Sequence, residues 1–128
     1  MSNVKLPKVK ESDVQAHIFQ WASYIRPLKY MFAIPNGGSR DVREAVNLKR
    51  QGVKRGVSDI FVPMPTQNYH GLFLELKVGK NKPTKEQIDF LKFVNSVGYC
   101  GVVCYGFEEA VTTIQNYLKG EIIQQSLE

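Results

Sequence analysis

Apolar residues recur along this chain in two rhythms, one of three to four residues and one of two. Val14, Ile18, Trp21, Ala22 and Ile25 repeat at helical spacing behind Ser12-Asp13-Val14-Gln15, which has the form of a capping box. Pro27 predicts the end of that helix. An apolar run over 30–34 predicts a short strand, broken by Pro35-Asn36-Gly37-Gly38. Ser39 is placed to cap a second helix over 40–51, with Val42, Ala45, Val46 and Leu48 as its apolar positions and Gly52 beyond its end. Strands are predicted over 57–62, stopped by Pro63 and Pro65, and over 71–78. Thr84-Lys85-Glu86-Gln87 is another capping box, opening a helix that carries Ile88, Leu91, Val94 and Val97 and closes at Gly98. A strand over 99–105 and a helix over 107–118 follow.

The predicted order is α-β-α-β-β-α-β-α. Strands joined through a helix imply an α/β fold, a small mixed sheet of four strands flanked by helices. The expected organisation is a basic arm over 1–10, one domain over 11–120 and a tail over 121–128.

The third strand, Leu72 to Val78, changes the picture. Leu72, Leu74, Leu76 and Val78 share one face, and Phe73, Glu75 and Lys77 the other. Such alternation is common on half-buried sheets. The second strand adds Asp59 at the head of an apolar run, where an acid is a poor strand former and costly to bury alone. If the two strands are hairpin neighbours, Asp59 faces Glu75. Two facing carboxylates repel unless a cation lies between them, and a hard ion such as Mg²⁺ prefers oxygen ligands. The backbone carbonyl of Leu76 offers a further ligand, and Lys77 stands beside the same pocket. That set suits phosphodiester hydrolysis, with Lys77 orienting water or stabilising developing negative charge.

Composition narrows the classes without choosing among them. The 128 residues are 43% hydrophobic, and no apolar run approaches a membrane span. The N-terminus lacks the pattern of a secretory signal, so a cytoplasmic protein is expected. Cys100 and Cys104 lie four apart in a strand pattern, too far for a disulfide, and read as reduced core residues. His17 and His70 have no zinc-ligand spacing to them. The net charge is +5. Six basic residues, Arg40, Arg43, Lys49, Arg50, Lys54 and Arg55, stand against Asp41 and Glu44 in one stretch, and Lys77, Lys80, Lys82 and Lys85 form a second group. Both groups suit a phosphate backbone, and both also suit a solvated surface.

Asp59, a spacer of fifteen residues, then Glu75-Leu76-Lys77 resembles the PD-(D/E)XK nuclease signature. Glu11 to Gln15, Pro35-Asn36-Gly37, Gly52 to Asp59, Phe73 to Lys77 and Lys82 to Gln87, in that order, resemble the VRR-NUC group, the virus-type replication-repair nucleases. Ser58 stands where many relatives have proline.

The resemblance implies a restriction-endonuclease-like core. It implies Asp59 and Glu75 as ligands of Mg²⁺ (or Mn²⁺) and Lys77 as the catalytic lysine. Glu11 would be an accessory acid on the first helix, with Asp13 as its competitor, and Gln87 would lie on the helix flanking the site. Asn36 joins the basic residues as an expected DNA contact. Single-domain members resemble phage-encoded Holliday-junction resolvases, so branched duplex DNA and a second copy of the chain are the expected partners. Paired cuts across a junction need two sites related by symmetry, and Phe90 and Phe93 beside the Ile88-Leu91-Val94 stripe offer a surface for that dimer or a part of the core. A sequence-specific restriction enzyme and a non-catalytic DNA-binding module are the alternatives.

Overall fold

The computed structural model describes residues 8–35 and 41–127. Asn36, Gly37, Gly38, Ser39 and Arg40, and most of the expected arm over 1–10, lie outside the described residues.

The first helix, α1 (Glu11–Ala22), starts one residue before the expected cap. Lys10 holds the cap position without a side-chain bond, so Ser12 falls inside the first turn and the expected capping box is not formed. Glu11 and Asp13 instead place negative charge at the positive end of the helix. The helix also ends earlier than Pro27 predicts: Arg26–Leu28 forms a separate single turn of tighter helix with the proline inside it.

The strand β1 is only Phe32–Ala33. After it comes α2 (Val42–Arg50), capped by the Asp41 carboxylate, which accepts from the Arg43 N–H at 2.9 Å. Then β2 (Ile60–Val62) and β3 (Leu72–Lys77) pair antiparallel. The helix α3 (Lys85–Ser96) has the capping box that the sequence predicts, Thr84 and Gln87 bonding each other's backbone N–H. The strand β4 (Cys100–Tyr105) and α4 (Gly106–Leu118) complete the order.

The sheet runs β1-β2-β3-β4, with the first two pairings antiparallel and β3–β4 parallel. It is the mixed four-stranded α/β sheet expected, because β3 and β4 are joined through α3 and a helical crossover returns the chain in the same direction. One sheet face carries Ile60, Val62, Leu72, Leu74, Leu76, Cys100, Val102 and Cys104, all buried against α1 (Val14, Ile18, Ala22) and α4 (Ala110, Ile114, Tyr117). Each fully buried leucine there contributes roughly 1.5–3 kcal/mol. Both cysteines are free and buried.

Among the described residues, α3 packs on the opposite face, over β3 and β4. Gly101 makes that approach possible, since a Cβ there would come within 3.1 Å of atoms of Val94 and Leu91. The outer edge of β4 is closed by side-chain amides. Asn95 accepts from the Gly101 N–H at 2.7 Å, and Gln125 accepts from the Val103 N–H at 2.8 Å while donating to the Val103 carbonyl at 3.0 Å. An edge strand would otherwise present these groups to any passing chain.

Candidate active site

Asp59 does not extend the β2 ladder; it ends it. Its Oδ2 accepts the Leu76 N–H at 2.7 Å, a backbone donor that a longer β2 would have taken, and its carbonyl accepts from Ile34 N–H at 2.8 Å. The expectation that Asp59 lies inside a strand is corrected in that respect: the ladder starts at Ile60, and the acid's side chain replaces one ladder bond. The segment leading to it is fixed by Gly56, at φ +88°, which packs on the first turn of α3 so closely that a Cβ would sit 2.5 Å from the Glu86 carbonyl oxygen.

Glu75 and Lys77 follow on β3, on the same side. The Glu75 side chain is 1% exposed, and its Oε2 lies 3.7 Å from Lys77 Nζ, whose side chain is 12% exposed. The other oxygen, Oε1, is buried with no hydrogen-bond partner among the described residues. Glu11 comes in from the first turn of α1. Carboxylate oxygens of Glu11, Asp59 and Glu75 all lie within 4.8 Å of one another. The sequence-predicted acids therefore converge, Glu11 included. Asp13, its competitor, is exposed.

The electrostatics follow from crowding three acids around one partly enclosed lysine. Burial first, then a hydrogen bond and the negative charge of Asp59, push the Glu75 carboxyl up to about 9, with Lys77 pulling the other way. Burial and the charge of Asp59 also raise Glu11, again opposed by Lys77. Such a site is short of positive charge. Its donors are hard oxygens, and one of them is a buried acceptor left unsatisfied, so it fits a divalent cation of the Mg²⁺ type. Asp59, Glu75 and Glu11 would hold it.

The remaining predicted residues are placed differently. The Gln87 carbonyl oxygen accepts the Thr84 N–H at 2.8 Å, which commits it to the α3 cap. Arg43, Lys49 and Arg50 are exposed on α2, Lys54 and Arg55 on the turn before Gly56, and Lys80 and Lys82 on the loop leaving β3. Asn36 and Arg40 are outside the described residues. Phe93 is exposed on α3, whereas Phe90 turns its edge onto Phe73, with ring centroids 5.2 Å apart. Two features escaped the sequence. Ser58 is buried with its hydroxyl unpartnered among the described residues. Phe32, Phe61 and Phe73 form one row across three strands, which only the register could reveal.

A sheet that offers an aspartate at the start of one strand and Glu-x-Lys on the next is the arrangement of the PD-(D/E)XK nucleases, metal-dependent enzymes acting on DNA. The VRR-NUC domain model matches residues 4–108. A solved structure described as a VRR_NUC domain protein is 30% identical, superposes with a TM-score of 0.80, and covers 94% of this chain and 100% of its own. No curated protein matches the chain. The chain belongs to the VRR-NUC family.

Proposed function

We propose that this chain is a Mg²⁺-dependent endodeoxyribonuclease that hydrolyses phosphodiester bonds in branched duplex DNA, Holliday junctions among them, acting as a homodimer. The convergence of the Glu11, Asp59 and Glu75 oxygens beside Lys77 carries this reading. No helix among the described residues is long and apolar enough to cross a membrane.

Asp59 and Glu75 are the principal metal ligands, and Glu11 is the third acid. The Leu76 N–H points toward the Asp59 carboxylate. Neighbouring N–H and C=O groups of a strand residue leave on the same side, so the Leu76 carbonyl also serves the site. A Mg²⁺ or Mn²⁺ held by these acids would supply Lewis-acid chemistry, lowering the pKa of a bound water and screening the phosphate. Lys77 is the ammonium group that the described residues bring to the cluster; it orients the attacking water and stabilises negative charge on the oxygens of the pentacoordinate transition state. Gln87 acts through position, holding the first turn of α3 against the Gly56 segment that delivers Asp59. Arg43, Lys49, Arg50, Lys54, Arg55, Lys80 and Lys82, with Asn36 and Arg40, contact the DNA backbone. One site cuts one strand, so symmetric resolution of a junction requires two copies.

The test is cleavage of a synthetic four-way junction with Mg²⁺, with and without EDTA. Asp59→Ala, Glu75→Ala and Lys77→Ala should each lower the rate at least about 100-fold while folding is kept. Wild-type turnover by Glu75→Ala would refute the site. Discrete fragments from plain linear duplex would mark a restriction-type enzyme. Salt-sensitive binding that ignores both Mg²⁺ and the loss of Asp59 would mark a binding module.

A further inference from the structure

We propose that Phe32 and Phe61 form a stacking platform for an unpaired nucleobase of the DNA, one to two nucleotides from the phosphate being cut. The inference rests on the nuclease reading and adds the feature of the substrate that the site selects.

The register places the rings. Phe32 pairs with Phe61 and Phe61 with Phe73, so the three side chains leave the sheet on one face. Their rings touch in sequence: Phe32–Phe61 centroids are 5.6 Å apart at 65°, and Phe61–Phe73 4.4 Å apart at 36°. That face is also the face of the carboxylates. Phe61 is two residues after Asp59, and Phe73 two before Glu75. Two strand steps span roughly 6.5 Å, so the backbone positions of the aromatic row lie that far from those of the acidic row, with the Phe61 ring leaning toward Gly71 and Tyr99. Stacked nucleotides rise roughly 3.4 Å each along a strand, which sets the distance from platform to cut at one to two nucleotides.

The two ends of the row differ in cover. At the β3 end, Phe90 from α3 closes over Phe73. At the β1 end the described residues bring no helix across the face, and Phe32 stays 48% exposed, next to Tyr30 at 73%. Its ring meets Phe61 edge to face, and about half of the residue still faces water. It does offer a π face at a fixed distance from the site.

Every nucleobase presents a π face, so stacking is tolerant of sequence. A base inside a duplex is already stacked on both sides and cannot reach such a ring. Only a base that has left the stack, at a branch point or a flap, can. The platform thus supplies a physical reason for the nuclease to prefer branched DNA over plain duplex.

The experiment uses the full chain on three DNAs: a flapped duplex, the same flap with an abasic site walked across the three unpaired positions nearest the cut, and a fully paired duplex. Binding is read in EDTA and cleavage in Mg²⁺. At one flap position, loss of the base should weaken binding by the unaltered protein about tenfold. Phe32→Ala and Phe32→Leu should weaken binding of the intact flap by a similar factor and leave the abasic flap and the plain duplex unchanged. Phe32→Tyr, which keeps the ring, should bind as the parent does.

Equal binding of intact and abasic flaps by the unaltered protein at all three positions overturns the platform, whatever the variants do. So does a loss of solution mass in Phe32→Leu with base selectivity unchanged, which would make the face a contact between copies of the chain. Base-selective binding without any Mg²⁺-dependent cut would sink the nuclease reading and leave the platform standing.

Discussion

The strand β3 and the helix α2 both alternate apolar with polar side chains, yet neither is buried as that alternation alone predicts. On β3 the charged side is closed in: Glu75 is 1% exposed, with a carboxylate oxygen that no described residue satisfies. On α2 the apolar side is open: Val42 is 76% exposed and Val46 56%, and the helix buries none of its residues. The difference lies in the neighbours. The strand β3 has β2 and β4 on its two edges, α1 and α4 behind it and α3 in front, so even its polar side chains are removed from water. The helix α2 is tethered by its Asp41 cap and by the turn that follows, with no neighbouring element packed along its stripe among the described residues. Amphipathic patterning selects a helix; burial needs a second surface.

That contrast can be tested by substitution. The largest effect should come from Leu74→Ala, which empties a fully buried position between the sheet and the helices behind it. It should cost about 2–5 kcal/mol in denaturant unfolding. A loss under 1 kcal/mol would mean that β3 is not the centre of the core.

Next comes a pH effect at the polar side of the same strand. The folded protein holds the Glu75 carboxyl at about 9, chiefly through burial and then through Asp59, while in the unfolded chain it titrates near the ordinary glutamate value of 4.5. Between those values the folded state carries the extra proton, so stability in EDTA should fall as pH rises, by at most about 1.4 kcal/mol per pH unit. Glu75→Gln should flatten that slope. Mg²⁺ should stabilise the parent most at the alkaline end, where the ion no longer competes with the proton. Unfolding midpoints at pH 6 and pH 8.5, with and without the ion, check both signs, and a slope in EDTA that rises with pH would contradict the buried-acid arrangement.

The smallest effect belongs to α2. Val46→Ser should shift stability by no more than about 0.5 kcal/mol, since the side chain already faces water. A cost near that of Leu74→Ala would show that the helix is covered in solution, and sedimentation of the two proteins would reveal whether a second copy covers it.

Most elements were legible along the chain because their signals are local. The Thr84–Gln87 box, the helical spacing of Leu91 and Val94, and the apolar run of β4 each depend on residues within a few positions. The errors share a cause. Ser12 has the form of a cap, but the helix takes one more residue at its start, with acids on its first turn. The second strand is predicted over 57–62 because Val57 and Ser58 look extended and apolar enough, while the Asp59 side chain displaces the ladder there and β2 begins at Ile60. Gln125, in a tail with no periodic signal, closes an edge 22 residues away.

By itself the sequence determined that Glu75 and Lys77 share a strand face, that Asp59 heads the preceding strand, and that the family motif ties the three together. Those are matters of spacing and side-chain period, which the backbone enforces over short range. Only the tertiary structure decided that Glu11 and not Asp13 reaches the same cluster from a helix far away along the chain, that Glu75 is sealed from water, and that Phe32 and Phe61 line up on the sheet face that carries the acids. Each of those depends on strand register and on helices docking across the sheet, and long-range packing of that kind leaves no periodic trace in any one segment.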